Sequence, residues 1–346
     1  MKEFQKFLQK LGAQFNPDTF PQIESFGSWE AEYQAAKQKT AVFDLSGLNV
    51  IRLQGKDHAD FLHRMSMNEI RRLKPGQLVV NAFADAKGKI VDAVFMLKRE
   101  DSIDLITGPG RGQPLSEWLD RFIFIEEITI TDMTDHWVPL LLCGRLPEGL
   151  AGLEIEPMTM ARTAIQGTEF EVCRVDHLLP RGFLMLVPAQ RATECMTFLV
   201  EQTGENRVVP AGAQAFHALR IEQGIPMHGF EIDGDSNPYE CGLKAFISYD
   251  KGCYVGQEVI ARLDTYDKIK HEYTGLHIES DEMPPVPSNI TTGQQEAGVL
   301  TSVTALPGEK GFVGIGRIRR KFLDGQVEFK LQWNHHTARV TLRAWQ

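Results

Sequence analysis

At 346 residues the chain is too long for one ordinary hydrophobic core, so two or three domains are expected. Apolar residues at 42% and charged residues at 24% give the balance of a globular protein and exclude a disordered one. A formal net charge of −9 argues against sequence-independent binding to DNA or RNA, which needs many Lys and Arg to neutralise phosphates. The five cysteines are odd in number, widely spaced and form no C-x-x-C pair. That pattern is neither a disulfide framework nor a structural zinc site, and it suits a reducing compartment. Met1–Leu8 lacks the apolar run of a secretory signal and carries Glu3 but no Arg. No stretch approaches the ~18 consecutive apolar residues of a membrane helix. The expectation is a cytoplasmic protein with no membrane or direct nucleic-acid partner and no metal site.

In chain order, Ser28 is a suitable N-cap for a helix running to about Lys39. A strand is predicted over Val50–Gln54, and Asp57 opens a helix with Phe61 and Met65 on one face. The apolar runs Leu78–Phe83, Ile90–Leu97 and Ile103–Thr107, separated by turn-like segments, predict an antiparallel meander. Leu115, Trp118, Leu119 and Phe122 fall at helical spacing, and Ile128 and Ile130 alternate as in a strand. A second α+β region follows, with strands Val138–Cys143, Phe170–Val175 and Phe183–Val187 and helices Arg191–Glu201 and Ala213–Glu222. Gly224 and Pro226 stop the last of these. Beyond about His271, five short runs (Leu276–Ile278, Val299–Val303, Phe312–Ile318, Val327–Trp333 and Val340–Trp345) indicate a small β-barrel or sandwich.

Three places break a local rule. Asp92 shares a strand face with Ile90, Val94 and Met96, so its carboxylate is buried or at a cleft wall. It either faces a ligand amine or is a partnered structural acid, and the residues leave both open. Glu222 lies in the last turn of its helix, where the macrodipole disfavours negative charge by roughly 0.3–1 kcal/mol. Alone it reads as an exposed acid paired with Arg220 or another cation, although a carboxylate also suits the N–H edge of a heterocycle. Lys251-Gly252-Cys253-Tyr254-Val255-Gly256-Gln257-Glu258 puts a cysteine beside a lysine and shortly before a helix, two features that favour a thiolate. The other four cysteines read as small buried hydrophobes. The ten histidines show no ligand spacing, and His58, His63, His335 and His336 read as surface or capping residues. The basic clusters Arg71-Arg72-Lys74 and Arg317-Arg319-Arg320-Lys321 read as solvated edges or turns. Dinucleotide, Walker and serine-hydrolase motifs are absent.

The Lys251–Glu258 run resembles the K-G-C-x-x-G-Q-E signature of the YgfZ-type folate-binding proteins, a branch of the glycine-cleavage T-protein (aminomethyltransferase) superfamily. The segments Val42–Ser46, Leu53–Asp57, Lys87–Asp92, Leu219–Pro226 and Gly298–Ser302 with Pro307 are similar to other landmarks of that superfamily. One departure is Asp92-Ala93, where the aminomethyltransferases usually carry two adjacent acids; they also lack the Cys signature.

The resemblance implies an α+β fold in a three-domain T-protein-like arrangement, two α+β domains followed by a C-terminal β-barrel. Residues 1–47 and 133–270 would form the folate-binding domain with the Cys loop, 48–132 a ferredoxin-like domain and 271–346 the barrel. It implies tetrahydrofolate or a derivative as cofactor, with Glu222 on the pterin and Arg220, Lys251, Tyr254, Gln257 and Arg262 also binding. Asp92 would lie near the folate N5–N10 region and, with Cys253, act in the chemistry. The implied role is assembly or repair of iron–sulfur enzymes, with effects on tRNA thiolation and with iron–sulfur assembly proteins or client enzymes as partners. An aminomethyltransferase of one-carbon metabolism is the alternative, and a folate-gated binding module a third.

Overall fold

The structure is a computed structural model that describes residues 2–165, 167–202, 204, 207–266, 268–323 and 327–345. The chain forms two compact units. One comprises Met1–Leu62, Glu69–Val80 and Val94–His217, the other His63–Asn68, Asn81–Ala93 and Ala218–Gln346.

The first unit is built on a six-stranded sheet in the order Met160–Ile165, Thr168–Arg174, Gly182–Pro188, Trp137–Gly144, Thr40–Asp44, Val208–Ala211. Neighbours are antiparallel except the last pair, which is parallel. The central strands are apolar on both faces, as the buried run Val138–Cys143 requires. Helices Lys2–Lys10 and Ala192–Val200 bury Phe4, Leu8, Cys195, Met196 and Leu199 in the same core as Val42, Leu140, Leu142 and Met185. Ser28 caps the helix Trp29–Gln38 as expected, its hydroxyl accepting from the Ala31 N–H at 3.3 Å.

A five-stranded sheet takes the order Leu78–Ala84, Ile90–Lys98, Ser102–Thr107, Asn49–Gln54, Thr129–Asp132, its first two strands running on into the second unit. The expected meander is thus present. Within the first unit a buried charge network holds strands together. Asp104, fully buried, accepts from Arg52 Nε at 2.7 Å and Arg99 Nε at 2.6 Å, and Arg99 also forms a two-pronged pair with Glu171. His58 and His63 are buried and not surface residues. His58 turns one ring nitrogen to the Gly55 carbonyl and the other to Lys98 Nζ, so its imidazole serves helix entry from inside the fold.

The second unit ends in a closed barrel in the order His271–Glu279, Phe312–Arg319, Gln295–Thr304, Ser288–Thr292, Phe329–Trp333, His336–Arg343. It has one strand more than the five runs read from the sequence. Leu276, Ile278, Ile290, Leu300, Ile318, Leu331 and Val340 fill its centre. Gly314 and Gly316 leave room for them, since a Cβ at either would lie 2.6 Å from a leucine methyl. The basic cluster near residue 319 is paired: Arg317 with Asp233, Arg319 with Glu296 and Arg320 with Glu272.

Candidate functional site

The candidate catalytic and cofactor-binding residues all fall in the second unit. Alternation along Ile90–Lys98 buries Asp92 completely, together with Ile90, Val94 and Met96. Its Oδ1 accepts the Ala93 N–H at 2.8 Å and lies 2.5 Å from His228 Nε2. Asp92 therefore has a partner that sequence reasoning passed over, because the two stand 136 positions apart.

His228 belongs to the turn that follows the helix Ala213–Glu222. That turn is closed by the Glu231 and Ile232 N–H groups donating to the Met227 carbonyl, and by the Met227 N–H donating to Glu231 Oε2 at 3.1 Å. Glu231 is fully buried and fully engaged. Oε2 also receives Arg220 Nη1 at 3.1 Å, while Oε1 accepts from Thr301 Oγ1 at 2.7 Å and Ser302 Oγ at 2.6 Å. Arg220 completes the cluster by donating to the Ile225 carbonyl and to Ser302 Oγ, with Phe230 against its guanidinium. Arg220 is thus partnered by Glu231, eleven positions away. Glu222 is itself buried, at 3% exposure, and so is not the exposed acid its position alone suggests.

Lys251 is buried as well. Its ammonium donates to the carbonyls of His63, Ser66 and Asn68 and lies 5.2 Å from the centre of the Tyr254 ring. Three convergent acceptors suit an ammonium, which carries three donors. The lysine is therefore a clip on the 63–68 segment, and its donors are used there. Asn81 reinforces the clip, donating to Ser66 Oγ at 2.9 Å and accepting from the Asn68 N–H at 2.8 Å.

Past the clip, Gly252 and Cys253 are exposed, Tyr254 is buried, and Gly256 precedes the helix Gln257–Thr265. Burial pushes the Tyr254 phenol up to about 12. Gly256 has φ +80°, and a Cβ there would lie 2.5 Å from the Asp85 carbonyl oxygen. Gly88, at φ +72°, meets Val259 and Ile260 in the same way. The turn carrying Gly88 and the signature loop carrying Gly256 are therefore in backbone contact. Tyr254 and Ile260 share an apolar core with Ala84, Ile90 and Ile232, so the Cys loop, the Asp92 strand and the His228 turn are built on one cluster.

Among the five cysteines only Cys253 is exposed. Burial pushes the Cys143 and Cys195 thiols up to about 12 and raises Cys173 and Cys241 too, as expected for inert core residues. Gln257 starts the helix, half-buried, its N–H donating to the Tyr254 carbonyl at 3.2 Å. Arg262 points to solvent and pairs with Glu258 at 2.6 Å on its own helix, so it does not join the buried cluster. Among the described residues no group of three or more His, Cys, Asp or Glu could hold a metal ion. None of the described helices is long and apolar enough to cross a membrane.

Comparison with known proteins places this arrangement. Residues 5–251 match the family described as the GCVT N-terminal domain. The chain belongs to that family. A chloroplastic Arabidopsis thaliana protein, provisionally named a transferase, is 30% identical over 308 residues, covering 86% of this chain and 70% of its own. The aminomethyltransferase of Thermoanaerobacter sp. (strain X514) is 24% identical over 318 residues, covering 89% of this chain and 86% of its own. The fold matches the crystal structure of the glycine cleavage system aminomethyltransferase T from Bartonella henselae, with a TM-score of 0.85 at 20% identity over 98% of this chain and 95% of that one. The expected T-protein fold with its C-terminal barrel is therefore present.

Proposed function

We propose that this chain is a YgfZ-type member of its family, binding tetrahydrofolate and acting in iron–sulfur cluster assembly or repair through Cys253. The observation that carries the proposal is the contrast among the thiols: four are buried, and the fifth is exposed on a loop clipped by Lys251 and seated by Gly256. The signature run in that loop supports the YgfZ-type assignment.

The donor set fits a reduced folate. A pteridine presents N–H donors along one edge, and carboxylates accept but do not donate. Glu222 and Asp92 are buried acids of one unit; Glu222 would take the ring edge, and Asp92 would serve the amine end through its partner His228. Bound there, the ligand would supply a nucleophilic secondary amine for one-carbon chemistry. Arg220 and Lys251 would act indirectly, the first by fixing the helix end that carries Glu222 and the second by fixing the Cys loop.

Calorimetric titration with tetrahydrofolate tests the folate reading. Wild type should bind, and Glu222→Ala should bind at least tenfold more weakly, whereas equal affinity would remove Glu222 from the site. Rescue of a deletion strain tests the thiol, since Cys253→Ala should fail and full rescue would count decisively against the role.

The names of the bacterial relatives favour a second reading, an aminomethyltransferase. Incubation with an aminomethylated lipoyl carrier and tetrahydrofolate should then release ammonia, and absence of turnover disposes of it.

A further inference from the structure

The contact between Asp92 and His228 has a chemical direction. Asp92 Oδ1 is 2.5 Å from His228 Nε2 and also accepts the Ala93 N–H at 2.8 Å. An oxygen that already accepts one N–H and lies this close to an imidazole nitrogen is an acceptor, so the shared proton belongs on Nε2. The Ala93 N–H is 3.4 Å from Nε2, too long to compete with its 2.8 Å bond to the carboxylate. Nε2–H leaves Nδ1 with a free lone pair. Nδ1 has no hydrogen-bond partner among the described residues, and the His228 side chain keeps 15% of its surface exposed where Asp92 keeps none. Of the two groups, the histidine is the one a ligand can touch.

We propose that Asp92 and His228 form an acid–base dyad in which Asp92 holds His228 as the Nε2–H tautomer and His228 Nδ1 exchanges the proton with an amine of the bound ligand. The arrangement is that of a base oriented by a third group. His228 Nδ1 takes the proton with its lone pair, the N–H bonding electrons stay on the ligand nitrogen, and the positive charge gained by the imidazole faces the Asp92 carboxylate. Return of the proton from Nδ1 restores the starting state. Asp92 is thus a positioning residue and His228 the group in contact with ligand. The identity of the amine rests on the folate reading; the dyad does not.

Two measurements separate those dependencies. Nitrogen-15 NMR of histidine-labelled protein, with His228 assigned by its loss in His228→Gln, reads the tautomer without any ligand. Wild type should show a protonated Nε2 and a bare Nδ1, and Asp92→Asn should shift the balance toward Nδ1–H. A wild-type His228 already protonated on Nδ1, or one unmoved by Asp92→Asn, overturns the dyad. Calorimetry with tetrahydrofolate in two buffers of different ionisation heat then counts protons exchanged on binding. His228→Gln should lose the buffer dependence of the binding heat; an unchanged proton count would remove His228 from the exchange. Failure of wild type to bind at all would strike the folate reading, and the tautomer result would still decide the dyad.

Discussion

Arg220 and Glu231 form an ion pair buried on both sides, with 1% and 0% of their side chains exposed and 3.1 Å between Nη1 and Oε2. Every oxygen of the acid is matched by donors, two of them hydroxyls of the strand Gln295–Thr304. Removing one partner strands the other charge in a medium that cannot solvate it, at a cost of about 3–5 kcal/mol. Glu231→Leu and Arg220→Met should each lower stability by that amount in urea denaturation. The double variant should lose less than the sum, because it leaves no orphaned charge.

Lys251→Met should loosen the Cys loop and the 63–68 segment together. Three carbonyls lose a charged donor, and hydrogen bonds to charged groups contribute about 1.5–3 kcal/mol each. Hydrogen exchange at Val255, whose N–H donates to the Arg64 carbonyl, should accelerate. Lys251→Arg should not rescue it, since a planar fork does not converge on three acceptors.

The two glycines of the signature should differ. Gly256→Ala meets both a left-handed backbone, φ +80°, and the Asp85 carbonyl oxygen, so a loss of about 1–3 kcal/mol or more is expected. A Cβ at Gly252 meets nothing within 4 Å, so Gly252→Ala should change stability by no more than about 0.5 kcal/mol. Thermal melts of the pair decide this.

Titration with Ellman's reagent at pH 8 should count one fast thiol in the native protein and five in denaturant. Thiolates are the reacting species, and burial pushes Cys143 and Cys195 up to about 12. Cys253→Ala should abolish the fast phase. A second native thiol reacting at the same rate would contradict the burial pattern.

Asp44 gives a pH test in the first unit. Burial pushes its carboxyl up to about 6, outweighing the lowering effect of its hydrogen bonds to the Ser46 N–H and side chain. The folded state therefore holds the proton longer than the unfolded chain, and stability falls as pH rises from about 4 to about 6. Asp44→Asn should be more stable than wild type by about 1–3 kcal/mol at pH 7, with the gain shrinking below pH 4. Denaturation midpoints at pH 3.5 and 7 check the sign.

Sequence alone placed Asp92 inside because strand alternation is strict, and it bounded Ala213–Glu222 correctly because Gly224 and Pro226 end a helix unambiguously. The strand Ser288–Thr292 was hidden, having one inward apolar residue, Ile290, amid polar neighbours; its pairing on both sides comes from the closed barrel. Val208–Ala211 was also missed, a four-residue edge strand containing Pro210, tolerable only at an edge where a missing N–H breaks no inner ladder. In the site, local rules found the acids and the exposed cysteine, but not what they touch. Arg220's partner Glu231, Lys251's three carbonyls and Asp92's partner His228 are fixed by tertiary approach, to which no periodicity points. A histidine followed by glycine directly after a helix stop was the one available hint of His228.

The five-residue turn from Met227 to Glu231 is latched at both ends, by its own backbone and by hydroxyls of the strand Gln295–Thr304. The backbone that carries the imidazole has little freedom to swing out, because moving this turn would unseat a buried carboxylate from its donors. Transient fraying should therefore be as rare at residue 228 as in the middle of a barrel strand. The barrel would then serve this group as a tool rest serves a chisel: remote from the cut, yet deciding its angle.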